Sequence, residues 1–176
     1  MYVLIYSIAS GAADGEIRLW DLARKRCTRI FQGHEGRFIR GLVYTPNGKH
    51  ILSVGDDKHI CTWDANDEND VDEESIIVKK ASEIINSKAM LTGISYHRNE
   101  EKFATCGDIT QLWDGSTNYP IKEFQWGVDT VHTIKFNQVW YFIFLVQIRC
   151  WKLILQYIFS HKVSENEYDT QFDRQN

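Results

Sequence analysis

The pair Trp-Asp recurs three times in this sequence, as Leu19-Trp20-Asp21, Thr62-Trp63-Asp64 and Leu112-Trp113-Asp114, with tryptophans 43 and 50 residues apart. This feature constrains the chain more than any other. A fixed period of this size means that one supersecondary unit is repeated, and that each unit buries its faces only by stacking on its neighbours. The middle unit is the most complete. Gly33-His34 opens it, and Phe38 to Tyr44 is a β-rich run. Thr45-Pro46-Asn47-Gly48 is turn chemistry, with Pro and Asn-Gly supplying a fixed and then a positive φ. His50 to Val54 is the next run, Asp56-Asp57-Lys58 a tight turn, and His59 to Trp63 a third run. Ser75 to Lys79 supplies a fourth. The longer second interval fits an inserted acidic loop at 64–74, which holds seven Asp or Glu and no Lys or Arg. Such a run reads as a solvated loop.

Four short antiparallel strands closed by Trp-Asp are the blade of a WD-repeat propeller, which this chain resembles. The expected fold is therefore all-β, a WD40 β-propeller that is incomplete, with about three blades, part of a fourth and an irregular C-terminal tail. The blades fall at about 1–32, 33–80 and 88–126, with a partial one at 127–137. In the first unit the apolar start Met1 to Tyr6 reads as a strand and Thr28 to Gln32 as the outer strand. In the third, Ile121 to Trp126 is outermost. A ring needs about 4–8 blades to close, so this arc is expected to leave sheet edges open and to be marginal or partner-dependent by itself.

The pattern stops near Asn137. From 138 to 176 the sequence turns apolar and aromatic, through Val139 to Phe159, and then polar. About 21 residues could just cross a bilayer. Gln147, Arg149, Lys152 and Gln156 interrupt them, and each central Arg or Lys costs about 2.5–3.5 kcal/mol. The stretch reads as a tail not shaped by the repeat, such as read-through sequence, in preference to a membrane span or a substituted blade strand.

Cys27, Cys61, Cys106 and Cys150 are too far apart for a zinc site or disulfide framework and suit a reduced compartment. No G-x-S-x-G, P-loop, Cys/His cluster or Gly-rich dinucleotide turn is present. A non-enzyme without cofactor or metal is expected. The net charge is −4, and outside the acidic run 20 basic residues face 17 acidic ones. Arg18, Arg24, Lys25, Arg26 and Arg29 form a local basic group without interleaved aromatics, which reads as a solvated strand edge before an RNA surface.

The WD-repeat resemblance implies a buried chain of a Gly-His imidazole, a Ser or Thr hydroxyl, a turn Asp and the Trp. Carried onto this sequence it gives His34, Asp57 and Trp63 in the middle unit, with Gly55 at the hydroxyl place. The first unit has Asp14 and Trp20, with Ala12 there. The third has Thr105 and Trp113, with Gly107 in place of Asp. Each unit is thus expected to be broken. His34, Asp57 and His132 read as structural in preference to catalytic or metal-binding.

The runs Ser10 to Asp21, His34 to Gly41, Val54 to Lys58, Phe103 to Gly107 and Trp126 to Thr130 resemble the nucleolar WD-repeat family named as suppressor of fibrillarin mutants (the WD-repeat and SOF-domain family). That resemblance implies a scaffold of ribosome biogenesis in the U3 small nucleolar ribonucleoprotein and small-subunit processome, supporting 18S rRNA maturation. The implied partners are proteins of the pre-ribosomal particle, with U3 RNA and pre-rRNA contacted indirectly, in the nucleus and nucleolus. The alternatives are a substrate-receptor adaptor of a cullin-RING ubiquitin ligase or a generic interaction module. The Trp-Asp-x-Arg box expected of ligase docking is missing, because Ala23, Asn66 and Ser116 stand at the Arg positions.

Overall fold

The computed structural model describes residues 7–65, 76–124 and 130–136, together with the backbone of 142–149 and 152–159. Every element in them is a β-strand, and the two-residue period shows why. In β2 (Glu16–Asp21), Ile17 and Leu19 are buried while Arg18 and Trp20 turn to the other face, the alternation that a half-buried pleated strand requires.

The first sheet joins β1 (Ser7–Gly11), β2 and β3 (Arg26–Gln32) in antiparallel order. The second begins with β4 (Ile39–Tyr44), β5 (His50–Gly55) and β6 (His59–Asp64). Gly48 takes a φ of 70° in the turn between β4 and β5 and donates to the Thr45 carbonyl at 2.9 Å, so Pro46-Asn47-Gly48 makes the turn read from the sequence. The β1–β2 and β5–β6 hairpins each hold one residue in the left-handed region, Gly15 (φ 82°) and Lys58 (φ 64°).

After β6 the spatial order leaves the sequence order. Ser75 to Lys79 was expected to complete the second sheet, and this is corrected. β7 (Ile77–Lys80) pairs in parallel with β3, Arg29 opposite Ile77 through Gln32 opposite Lys80, and covers the outer edge of the first sheet. β8 (Glu83–Asn86) completes the second sheet against β6. A parallel pairing needs a long crossover, and the three strands β4, β5 and β6 lie between β3 and β7 in the chain. The Ser82 N–H and Oγ both donate to the Thr62 carbonyl at 2.8 Å, turning the chain back to β6.

The third sheet runs β9 (Leu91–Tyr96), β10 (Lys102–Gly107), β11 (Thr110–Asp114) and β12 (Pro120–Phe124). In the fourth, β13 (Thr133–Phe136) pairs with β14 (Phe142–Arg149), and β14 with β15 (Lys152–Phe159). The tail, expected to be irregular, thus contains two paired strands that continue the fourth unit. The strand expected at 1–6 and most of the acidic loop lie outside the described residues. No helix among the described residues is long and apolar enough to cross a membrane.

The sheets stack face to face. Ile51, Cys61 and Trp63 of the second meet Ile17, Leu19 and Phe31 of the first. Leu52, Val54 and Ile60, on the opposite face, meet Leu91, Ile94, Phe103 and Trp113 of the third. Ala104 and Cys106 meet Val131 and Ile134. The second sheet is therefore buried on both sides, and the fold is an incomplete WD40 propeller.

Candidate functional site

Between the first and second sheets lies a buried polar chain. The Trp63 side chain is wholly buried, so its indole N–H must find an acceptor or cost about 1–3 kcal/mol. It donates to Ser53 Oγ at 2.8 Å. Ser53 Oγ lies 2.6 Å from His34 Nε2, and His34 Nδ1 lies 2.8 and 3.0 Å from the two Asp57 carboxylate oxygens. The donors balance in one assignment. His34 Nδ1–H donates to Asp57, the Ser53 hydroxyl donates to Nε2, and its oxygen accepts from Trp63. Asp57 also accepts the His59 backbone N–H at 3.1 Å and so fixes the turn between β5 and β6.

His34, Asp57 and Trp63 are thus brought together, but through Ser53 and not at the Gly55 position expected for the hydroxyl. Gly55 is two residues further along the same strand face, hard against the imidazole. A Cβ there would stand 2.7 Å from His34 Nδ1 and 2.9 Å from Asp57 Oδ1. The middle chain is complete. The first unit is corrected in the same way: Trp20 Nε1 donates to Ser10 Oγ at 2.8 Å, not to anything at Ala12. Trp20 is 39% exposed. Asp14 does not join it and instead accepts the Glu16 N–H at 3.0 Å within the turn. A ten-residue interval from Ser10 to Trp20 and from Ser53 to Trp63 was the available signal.

In the third sheet Trp113 Nε1 donates to Thr105 Oγ1 at 2.9 Å, with both residues buried, and Trp113 stacks on Phe103 with centroids 5.7 Å apart. Among the described residues the chain ends at Thr105. Gly107 sits at a register shift where a Cβ would collide with the Met90 carbonyl. Backbone, not an Asp side chain, occupies that corner, and the hairpin is two residues shorter. His132 is exposed just before β13.

The chemistry of these groups is that of a clamp. Burial, reinforced by the Asp57 carboxylate, pushes the Cys61 thiol up to about 12. Burial pushes Cys106 to about 11, against a smaller opposing hydrogen bond from Thr92. Thiols held in that form are poor nucleophiles. No group of three or more His, Cys, Asp or Glu among the described residues is arranged to hold a metal. The basic group near β3 is largely committed. Arg29 is buried and donates to the Ala65 carbonyl at 2.6 Å, and Arg18 pairs with Glu16 at 2.7 Å. Arg29 is therefore a core residue and not part of a solvated edge.

What faces solvent beside the polar chain is a small aromatic and charged rim. Phe38 is 52% exposed, and the Arg40 guanidinium lies 5.3 Å from its ring centroid. Arg40 makes a two-pronged bond to Asp56 at 2.6 and 2.7 Å. That bond lowers the Asp56 carboxyl below its usual range and raises Arg40. Aromatic and arginine side chains held in this way are suited to anchoring a protein partner.

Residues 25–64 match the family described as WD domain, G-beta repeat. Proteins named "DDB1- and CUL4-associated factor 13" are similar over about three quarters of the chain. They include those of Xenopus tropicalis (37% identical over 135 residues, 76% of this chain), Danio rerio (39% over 134 residues, 76%) and Dictyostelium discoideum (38% over 137 residues, 77%). The chain spans 28–29% of the length of these relatives. These names correct the resemblance to the suppressor-of-fibrillarin family drawn from the motifs. The relatives are DDB1- and CUL4-associated factor 13, and that name takes its place. In fold the chain is an arc of WD40 blades, and in sequence it is similar to a segment of that factor.

Proposed function

We propose that this chain is a segment of a non-catalytic WD-repeat scaffold that holds proteins together during ribosome biogenesis. In this reading it works in the small-subunit processome with the U3 small nucleolar ribonucleoprotein, supporting 18S rRNA maturation in the nucleolus. Its direct partners are pre-ribosomal proteins, and it meets U3 RNA and pre-rRNA through them. The supporting observation is how the polar groups are used. His34, Ser53, Asp57 and Trp63 satisfy one another inside the stack, while Phe38 and Arg40 remain on the rim for a partner. The test is sedimentation of the tagged chain with precursor rRNA, together with its staining pattern in cells. Co-sedimentation and nucleolar staining are expected; a purely cytoplasmic chain free of pre-rRNA would overturn the proposal.

A second reading, an adaptor of a cullin-RING ubiquitin ligase, is favoured by the name of the relatives. Against it, Ala23, Asn66 and Ser116 hold the positions where a docking arginine is expected. Capture of DDB1 by the purified chain separates the two readings.

A further inference from the structure

The first sheet differs from the second and third in that the face carrying its tryptophan is uncovered. Trp63 stands opposite Ile51 in register, and Trp113 opposite Phe103. These four side chains are at most 4% exposed, because each pair packs against the sheet before it. The matching pair of the first sheet is Ile8 and Trp20, and they are 50% and 39% exposed. The same face continues across the sheet, where Arg18 stands opposite Ile30 and Ile30 opposite the exposed Val78. Its polar groups are already partnered: Ser10 Oγ accepts the Trp20 indole N–H, and Glu16 holds Arg18. The place of Arg18 is taken in the third sheet by Gln111, opposite Thr105, which is buried there with its amide bound to Glu123 at 2.6 Å. A paired polar side chain at this point is thus compatible with a covered face.

We propose that the first sheet of this chain docks on the fourth sheet of a second copy, so that two arcs close head to tail into one ring. The occupant follows from the stack itself. Each covered tryptophan face meets the onward face of the preceding sheet, and the onward end of this arc is its fourth sheet. With Phe136 of β13 set against Tyr44 of β4, the register places Phe144 and Val146 of β14 where Leu52 and Val54 stand in β5. It places Leu155 of β15 where Ile60 stands in β6. Leu52, Val54 and Ile60 are the residues that receive the third sheet. Two arcs of four sheets each make eight, within the about 4–8 that a ring takes, and a third arc would exceed it. A two-fold ring uses both ends of each copy, so it leaves no tryptophan face open and does not grow. Self-association goes beyond the scaffold reading and stands or falls without it.

The experiment is sedimentation equilibrium of the full 176-residue chain over a range of concentrations. A mass of two chains that rises no further is expected. Trp20→Lys should weaken the dimer more than about tenfold, as loss of an aromatic anchor does. Phe144→Lys, at the other end of the arc, should do the same. Ile8→Lys alters a half-exposed side chain of the face, so it should dissociate the dimer while leaving the circular dichroism of the strands unchanged. Tyr119→Ser removes an exposed ring from the turn before β12 and should leave the dimer intact. A chain that stays monomeric, or a mass that keeps rising with concentration, would overturn the proposal. So would a dimer indifferent to Ile8→Lys, or one indifferent to Phe144→Lys, which would mean that two first sheets pair with each other.

Discussion

Replacing Ser53 by Ala removes one hydroxyl and strands two buried groups. Trp63 Nε1–H loses its acceptor at 2.8 Å, and His34 Nε2 loses its partner at 2.6 Å. Both side chains and Ser53 itself are 0% exposed, so water does not replace the missing oxygen. Each orphaned group costs about 1–3 kcal/mol. Because the two share one hydroxyl, the costs do not add fully, and about 3 kcal/mol is the expected loss. That is a large part of the 5–15 kcal/mol typical of a folded domain. The assay is urea unfolding followed by tryptophan fluorescence. With a slope of about 2 kcal/mol per M, the midpoint should fall by about 1.5 M. The internal control is Ser10→Ala. It removes the same bond in the first sheet, where Trp20 is 39% exposed and water can substitute, so less than about 0.5 kcal/mol should be lost. Equal shifts in the two variants, or a Ser53→Ala shift as small as the control's, would refute the argument that burial makes this hydroxyl the keystone.

Three further outcomes follow from the same geometry. Gly55→Ser, which looks like a repair of the repeat when only the sequence is considered, should destabilise by about 1–3 kcal/mol through crowding of His34 and Asp57; a higher urea midpoint would contradict this. Thr105→Val preserves shape but leaves Trp113 Nε1–H without its acceptor at 2.9 Å, and should cost about 1–3 kcal/mol in the same assay; an unchanged midpoint would count against it. For the thiols, iodoacetamide at pH 8 with mass spectrometry should modify half-buried Cys27 and spare buried Cys61 and Cys106. Their folded values near 12 and 11 lie above the ordinary 9.0. The unfolded chain therefore binds fewer protons from about pH 9 to 11, and stability should fall as pH rises through that window; Cys61→Ala that leaves this slope unaltered would disprove the attribution.

The repeat unit and its strands were legible in the amino-acid pattern. Trp63 and Trp113 mark the third strand of their units because a buried indole there packs on the preceding sheet, and Trp20 marks the same place in the first unit by its spacing. Pro46-Asn47-Gly48 marks its turn because Gly48 alone avoids a Cβ penalty at a φ of 70°. Local rules of period and turn chemistry suffice for such features. Residues joined across space were less legible. Ser53 and Gly55 share a strand face, and which of them meets Trp63 depends on the register of β5 against β6, where Ile51 stands opposite Trp63. A two-residue misalignment is invisible to alternation, since it preserves the face. Ile77–Lys80 reads as a strand from the sequence, yet its pairing with β3 in place of β6 is settled only by which sheet edge the stack brings beside it. The open face of Ile8 and Trp20 stands out only once the other sheets are stacked. Local pattern wrote the strands; stacking decided which edges, hydroxyls and carboxylates came to face one another.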